Sequence, residues 1–160
     1  MMAGKLYGMG VVVLGVAGVL VGCADTGSVK GAAQPTAGAT AAKSLYDRLG
    51  GKPAITAVVD QFVANVAADK RINNRFASTD IPKLKGHLVD QVCQATGGPC
   101  TYQGRDMKRT HLGMQISSAD FEALVQDLVA ALDAFHVPVG EKSELLAMLG
   151  SMKKDIVELP

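Results

Sequence analysis

The stretch GRDMKRTHLGMQISSADF, residues 104 to 121, carries one imidazole, His111, with no second His, Cys or carboxylate at a metal-chelating spacing beside it. The other two histidines, His87 and His136, and the cysteine pair Cys93 and Cys100 form no recognised zinc spacing. No Gly-x-Ser-x-Gly elbow and no Gly-Lys-Ser/Thr phosphate loop occurs, and TGGPC, which lacks a following Lys-Ser/Thr, reads as a turn. The acids scatter over solvent-facing positions. A lone imidazole in a helical segment is ordinarily solvated or satisfied by its own fold. It becomes a good metal ligand chiefly when the metal brings its other ligands with it, as haem iron does. Composition is compatible with a flat apolar guest: 48% of residues are hydrophobic but only 4% aromatic, with no Trp, so the core must be aliphatic.

The elements that must position these residues are helices. Ser44 to Asp47 (SLYD) reads as a capping box opening a short helix that Gly50-Gly51 ends. Pro53 then fits the first turn of a second helix, in which Ile55, Val58, Val59, Phe62, Val63 and Val66 recur at helical spacing. Ser78, Thr79 and Asp80 are N-cap candidates for a third helix, with Leu84, Leu88, Val92 and Ala95 on one stripe. A second capping box, Ser117 to Asp120, opens the strongest amphipathic run, Phe121, Leu124, Val125, Leu128, Val129 and Leu132, which Pro138 is expected to stop. One last helix is expected over residues 141–159, with Leu145, Leu146, Leu149, Met152 and Ile156 inward. Nothing alternates with period two over a useful length. The expectation is an all-α domain without internal repeats.

The first 43 residues differ from the rest. VVVLGVAGVLVG, after a single Lys5, suits the apolar region of a secretory signal and is short of the roughly 20 residues a membrane span needs. It ends LVGC, residues 20 to 23, which resembles a bacterial lipobox. That resemblance implies a lipoprotein-type signal peptide over 1–22 and lipidation of Cys23. Residues 23–43, rich in Gly, Ala, Thr and Ser, read as a flexible tether, and 44–160 as the folded domain. The expected location is extracytoplasmic, on a bacterial membrane through an N-terminal lipid anchor and facing the periplasm. Cleavage removes Lys5 from 16 Lys plus Arg, leaving 15 against 15 Asp plus Glu. A formally neutral chain supplies no basic field for nucleic acid.

From Ser44 to Glu158 the chain resembles a truncated haemoglobin of group I, the two-on-two globins. The resemblance is carried in order by LYDRLGG, VVDQFVANVAADKRINNRF, LKGHLVDQVCQATGGP, YQGRDMKRTH and FEALVQDLVAALDAFHVP. It implies a globin-like, truncated two-on-two helical sandwich enclosing haem b (iron protoporphyrin IX). His111 maps onto the proximal iron ligand, and Phe76 onto the phenylalanine packed against the haem face. Gly50-Gly51 and Gly97-Gly98 map onto the family's glycine hinges. The implied function is reversible binding of O2, NO or CO, that of an oxygen carrier or gas-binding globin.

The distal side departs from the family's better-known pattern. Where the family commonly has Tyr after the phenylalanine matching Phe62, this chain has Val63, and Leu84 and Leu88 stand on the distal helix. Loss of a distal hydrogen-bond donor costs about 1–3 kcal/mol in a dry pocket, or roughly 10- to 100-fold in oxygen affinity. His87 falls at the pocket edge on a helical wheel. As in some relatives it would supply a sixth iron ligand, favouring electron transfer or redox sensing, or it would meet a propionate or water. An enzymatic reading, nitric-oxide dioxygenation, needs an external, unidentified reductase. Met107, one turn before His111, packs on the porphyrin or in ordinary core. Lys83, Lys85, Lys108 and Tyr102 are propionate partners or solvated groups, and His136 faces a helix-end dipole. Cys93 and Cys100 form a bridge in an oxidising compartment, or Cys93 is a buried thiol on an apolar helix face.

Overall fold

The computed structural model describes residues 42–159. The signal-like run, Cys23 and all but the end of the tether lie outside them. The described residues form seven α-helices and one 3₁₀ turn: α1 (Leu45–Arg48), α2 (Gly51–Ala68), the turn Asn73–Phe76, α3 (Ile81–Ala95), α4 (Met107–His111), α5 (Ser118–Ala134), α6 (Val139–Gly150) and α7 (Lys153–Ile156). Among them the only β feature is an isolated bridge between Ser117 and Leu159.

Local chemistry sets the boundaries. The Ser44 hydroxyl accepts the Asp47 N–H at 3.1 Å and starts α1. Gly50 and Gly51 take φ of 92° and 74°, the left-handed region open to glycine, which lets the chain reverse directly into α2. Asp80 caps α3 by accepting the Lys83 N–H at 3.0 Å. Ser117 and Asp120 complete both halves of the expected capping box of α5.

Two helix pairs, α2 with α3 and α5 with α6, make the sandwich, and α2 lies against both α3 and α5. Ile55, Val59, Phe62, Val63 and Val66 of α2 are buried in one cluster with Ile72, Val89, Cys93, Ala123 and Ala131. The alanines on α5 let its backbone approach α2 closely. Full burial of a Val, Leu, Ile or Phe side chain contributes about 1.5–3 kcal/mol, so this seam dominates the stability. Leu45, Leu132 and Leu145 form a second cluster that joins α1, α5 and α6.

Three expectations are corrected. The buried stripe of α3 is Val89 and Cys93, not the one through Ala95: Leu84, Leu88 and Val92 are half-buried and Ala95 is exposed. Pro138 does not stop α5. That helix ends at Ala134, the chain turns through His136 at φ 53°, and Pro138 instead stands at the N-cap of α6. The last helix is two, because Gly150 is a weak helix former and the Ser151 hydroxyl takes the Met148 carbonyl at 2.6 Å, breaking the ladder before α7.

The stretch between α3 and α4 is pinned at its start. Cys93 and Cys100 are joined by a disulfide with Cα atoms 5.7 Å apart. Cys93 is fully buried but bonded, so the bridge reading holds and the buried-thiol reading does not. A Cβ on Gly98 would fall 2.4 Å from the Tyr46 ring and 2.7 Å from Cys93 Sγ, which requires glycine there.

Candidate cofactor site

Helix α4 is five residues long. Asp106 starts it by accepting the Arg109 N–H at 2.9 Å, and the left-handed Gly113 (φ 80°) ends the turn that follows. Met107 and His111, one turn apart, share a face and are both half-buried. His111 Nδ1 lies 2.8 Å from the Met107 carbonyl oxygen. A carbonyl only accepts, so Nδ1 carries the proton and Nε2 is left with its lone pair free. A hydrogen bond on the far ring nitrogen is the usual device for fixing the tautomer and orientation of a metal-binding imidazole.

Leu84, His87, Leu88 and Gln91 follow at helical spacing on α3 and are half-buried, and Gln91 reaches Met107 of α4. Between α3, the 100–106 loop, α4 and the α6–α7 junction lies an open groove of about 300 Å³, lined by Gln91, Ala95, Tyr102, Met107 and Met152 among others. The Gln91 amide points at the sulfurs of Met107 (3.8 Å) and Met152 (3.3 Å). Among the described residues no three His, Cys, Asp or Glu side chains converge as a cage for an ion. The donor set is therefore one oriented imidazole, one turn after Met107, whose thioether lines the groove with Met152 beside Gln91, Gln94, Tyr102, Asp106 and Asp155. That fits a planar metal cofactor bringing its own equatorial ligands, and haem is such a group.

His87 packs edge-on against Tyr102, ring centroids 5.9 Å apart at 73°. Tyr102 is in turn held by its N–H to Gln94 Oε1 (2.6 Å) and by its hydroxyl, which donates to the Arg105 carbonyl (2.9 Å). Burial pushes the Tyr102 phenol above its ordinary pKa. Phe76 is half-buried and, like Leu88, packs on the main core cluster, while Val63 is inside that cluster. Leu84 is half-buried; Lys83 and Lys108 are exposed. Lys85 turns to α2, pairing with Asp60 at 2.9 Å. His136 is exposed just past the end of α5.

Three residues near the site carried no expectation. Gln91 sits one turn beyond His87 on the same stripe of α3, and a helical wheel extended by a turn finds it. Arg75 and Glu158 grip the loop after His111 from distant parts of the chain, and no local sequence pattern announces either. Hydrogen bonds from the Gly113 and Gln115 amides hold the Glu158 carboxyl below its ordinary range.

This fold and site have relatives. A family model for bacterial-like globin matches residues 44–158, and the chain belongs to that family. A group 1 truncated haemoglobin of Nostoc commune is 40% identical over 114 residues, covering 71% of this chain and 97% of the relative. One of Mycolicibacterium paratuberculosis is 36% identical over 113 residues, covering 71% and 83%. Among solved structures, the ferric truncated haemoglobin of Tetrahymena pyriformis superposes with a TM-score of 0.69 at 30% identity, covering 72% of this chain and 98% of that one. The 2/2 haemoglobin of Synechococcus, solved in the cyanomet state with covalently attached haem, gives 0.68 at 30% identity over the same shares. The all-helical two-on-two fold expected from the sequence is the fold observed.

Proposed function

We propose that this chain is a haem protein, His111 binding the iron through Nε2 and the opposite side serving diatomic gases, O2, NO or CO. One observation carries the reading: the Nδ1 contact with the Met107 carbonyl, which accepts the ring proton and leaves Nε2 as the free donor of a half-buried imidazole. Haem b, when bound, supplies the iron and the open coordination position. The rest is work for the chain. Met107 and Met152 give the groove soft apolar walls. Leu84, Leu88 and Val63 leave the distal side without a hydroxyl or amide donor at those positions, which favours CO and NO over tight oxygen storage. Phe76 backs the site from the core cluster.

The purified protein loaded with haem is expected to show a Soret band that is lost in His111→Ala. A colourless wild type under haem-replete expression refutes the proposal.

His87 supports a second reading. It lies half-buried against Tyr102 on the groove side of α3. Internal ligation from there would give six-coordinate iron suited to electron transfer with a separate reductase, and the same reductase would be needed for nitric-oxide dioxygenation. Ferric spectra separate these readings: a low-spin wild type that becomes high-spin in His87→Ala supports internal ligation, and identical spectra exclude it.

The same proposal includes a site of action outside the cytoplasm, the chain anchored by lipid on Cys23. LVGC at residues 20 to 23 supports the anchor. The Cys93–Cys100 disulfide supports an oxidising compartment. Labelled palmitate is expected to enter the wild type and not Cys23→Ala; equal labelling of both, or of neither, refutes the anchor.

A further inference from the structure

Helix α4 is too short to hold its own direction, since isolated helices below about a dozen residues are marginal in water. The loop that follows has little packing to help it: Leu112 is 72% and Met114 50% exposed. It nevertheless adopts a demanding path, with Gly113 at φ 80° and the non-glycine Gln115 at φ 53°. Its polar backbone groups are gripped from two sides. The Glu158 carboxylate accepts the N–H of Gly113 (2.8 Å) and of Gln115 (2.6 Å) through its two oxygens. The Arg75 guanidinium donates to the carbonyls of Met114 (2.8 Å) and Gln115 (3.5 Å), and to the Asp120 carboxylate (2.9 Å), which also caps α5.

Backbone pairing anchors the acidic jaw. The N–H groups of Glu158 and Leu159 both donate to the Ile116 carbonyl, at 2.9 and 3.1 Å, and Ser118 N–H donates to Leu159 O at 3.1 Å. Helix α7, immediately before this tail, packs on α4. The basic jaw is anchored by its neighbour, because Phe76 is packed on the main core cluster. A charged donor and a charged acceptor from distant parts of the chain thus meet on the residues just after His111.

We propose that Arg75 and Glu158 are positioning residues for the haem ligand: together they clamp the 112–115 loop and so fix the direction in which α4 presents His111 Nε2. This role rests on the haem reading above. If the loop were free, α4 could rotate or fray from its C-terminal end, and the imidazole would sample several approaches to the iron instead of one. Neither residue need touch the cofactor for this.

Two measurements test the clamp, on the full chain carrying Glu158→Ala, Glu158→Gln or Arg75→Lys. In the haem-free protein, amide exchange followed by NMR should find Gly113 and Gln115 protected in the wild type and unprotected in Glu158→Ala. In the haem-loaded ferrous protein, resonance Raman should show the iron–histidine stretching band shifted and broadened in Glu158→Ala. Haem transfer to an acceptor protein should then run roughly three- to tenfold faster. Glu158→Gln, which keeps one acceptor oxygen, should fall between; Arg75→Lys, which loses the forked geometry, should follow Glu158→Ala in direction. Protected amides with an unchanged band and unchanged haem loss in Glu158→Ala overturn the positioning role alone. A wild type that takes up no haem overturns the functional reading and this role with it.

Discussion

The seam between α2 and α5 and the groove between α3 and α4 are both made by facing helices, but they are finished differently. In the seam the facing residues are buried valines, Ile55 and Phe62 against alanines, and the Leu132 cluster continues the packing. In the groove the lining residues are half-buried or exposed, a Gln91 amide is partnered by thioethers, and an open volume of about 300 Å³ remains. The seam completes its packing with the chain's own atoms, while the groove stays open beside the helix that carries His111. Stability and function should therefore separate cleanly by mutation.

The largest expected effect on stability is in the seam and its continuation. Leu132, 1% exposed, when cut to Ala should destabilise by about 3 kcal/mol, read as a lower thermal midpoint, with the Soret position of the surviving folded protein unchanged. Cys100→Ser opens a bridge of sequence separation 7 and should cost about 2.5 kcal/mol by loop-closure entropy; the same loss should follow reduction of the wild type with dithiothreitol.

A smaller gain is expected at Asp127, whose buried Oδ2 has no hydrogen-bond partner and whose pKa is raised, by burial first and then by Asp69. A carboxyl with a raised folded pKa penalises the fold while ionised, and the penalty fades as pH falls through that value. Asp127→Asn should add roughly 0.5 kcal/mol at pH 7, discounted for partial exposure, and nothing at a pH where Asp127 is already protonated. Asp120, held low by the Ser117 N–H and hydroxyl and by Arg75, has the opposite sign: its contribution is complete above the ordinary value of 3.8 and is lost as pH drops below it.

Smallest of all should be the effect of His111→Ala on the haem-free protein, within about 0.5 kcal/mol of wild type, although it removes the Soret band of the loaded one. If that variant instead unfolds like Leu132→Ala, the groove is part of the core and the contrast drawn above is wrong.

Much of this was legible in the sequence. Helical spacing located the α2 residues that are buried, Ser44 as a plain N-cap and Ser117 through a full capping box start their helices where expected, and the ordered motifs from LYDRLGG to FHVP pointed to the two-on-two fold and to His111. The failures were of two kinds. On α3, hydrophobic pattern alone favoured the stripe through Leu84 and Leu88, because a leucine at the half-buried edge of a core and one at its centre look alike in a string of letters. At Gly150-Ser151 the periodicity ran through a break that one hydroxyl bond to Met148 imposes.

By itself the sequence determined that the domain is helical, where α1, α3 and α5 begin, and that a solitary histidine was the residue worth following, since periodicity and capping act over a few neighbouring positions. Only the tertiary structure decided which nitrogen of His111 is free, that Gln91 looks at two methionines, and that Arg75 and Glu158 close on the same loop. The first follows from a contact within one turn of α4, but the others depend on residues far apart along the chain arriving within hydrogen-bonding reach of one another, and no local interaction encodes such distances.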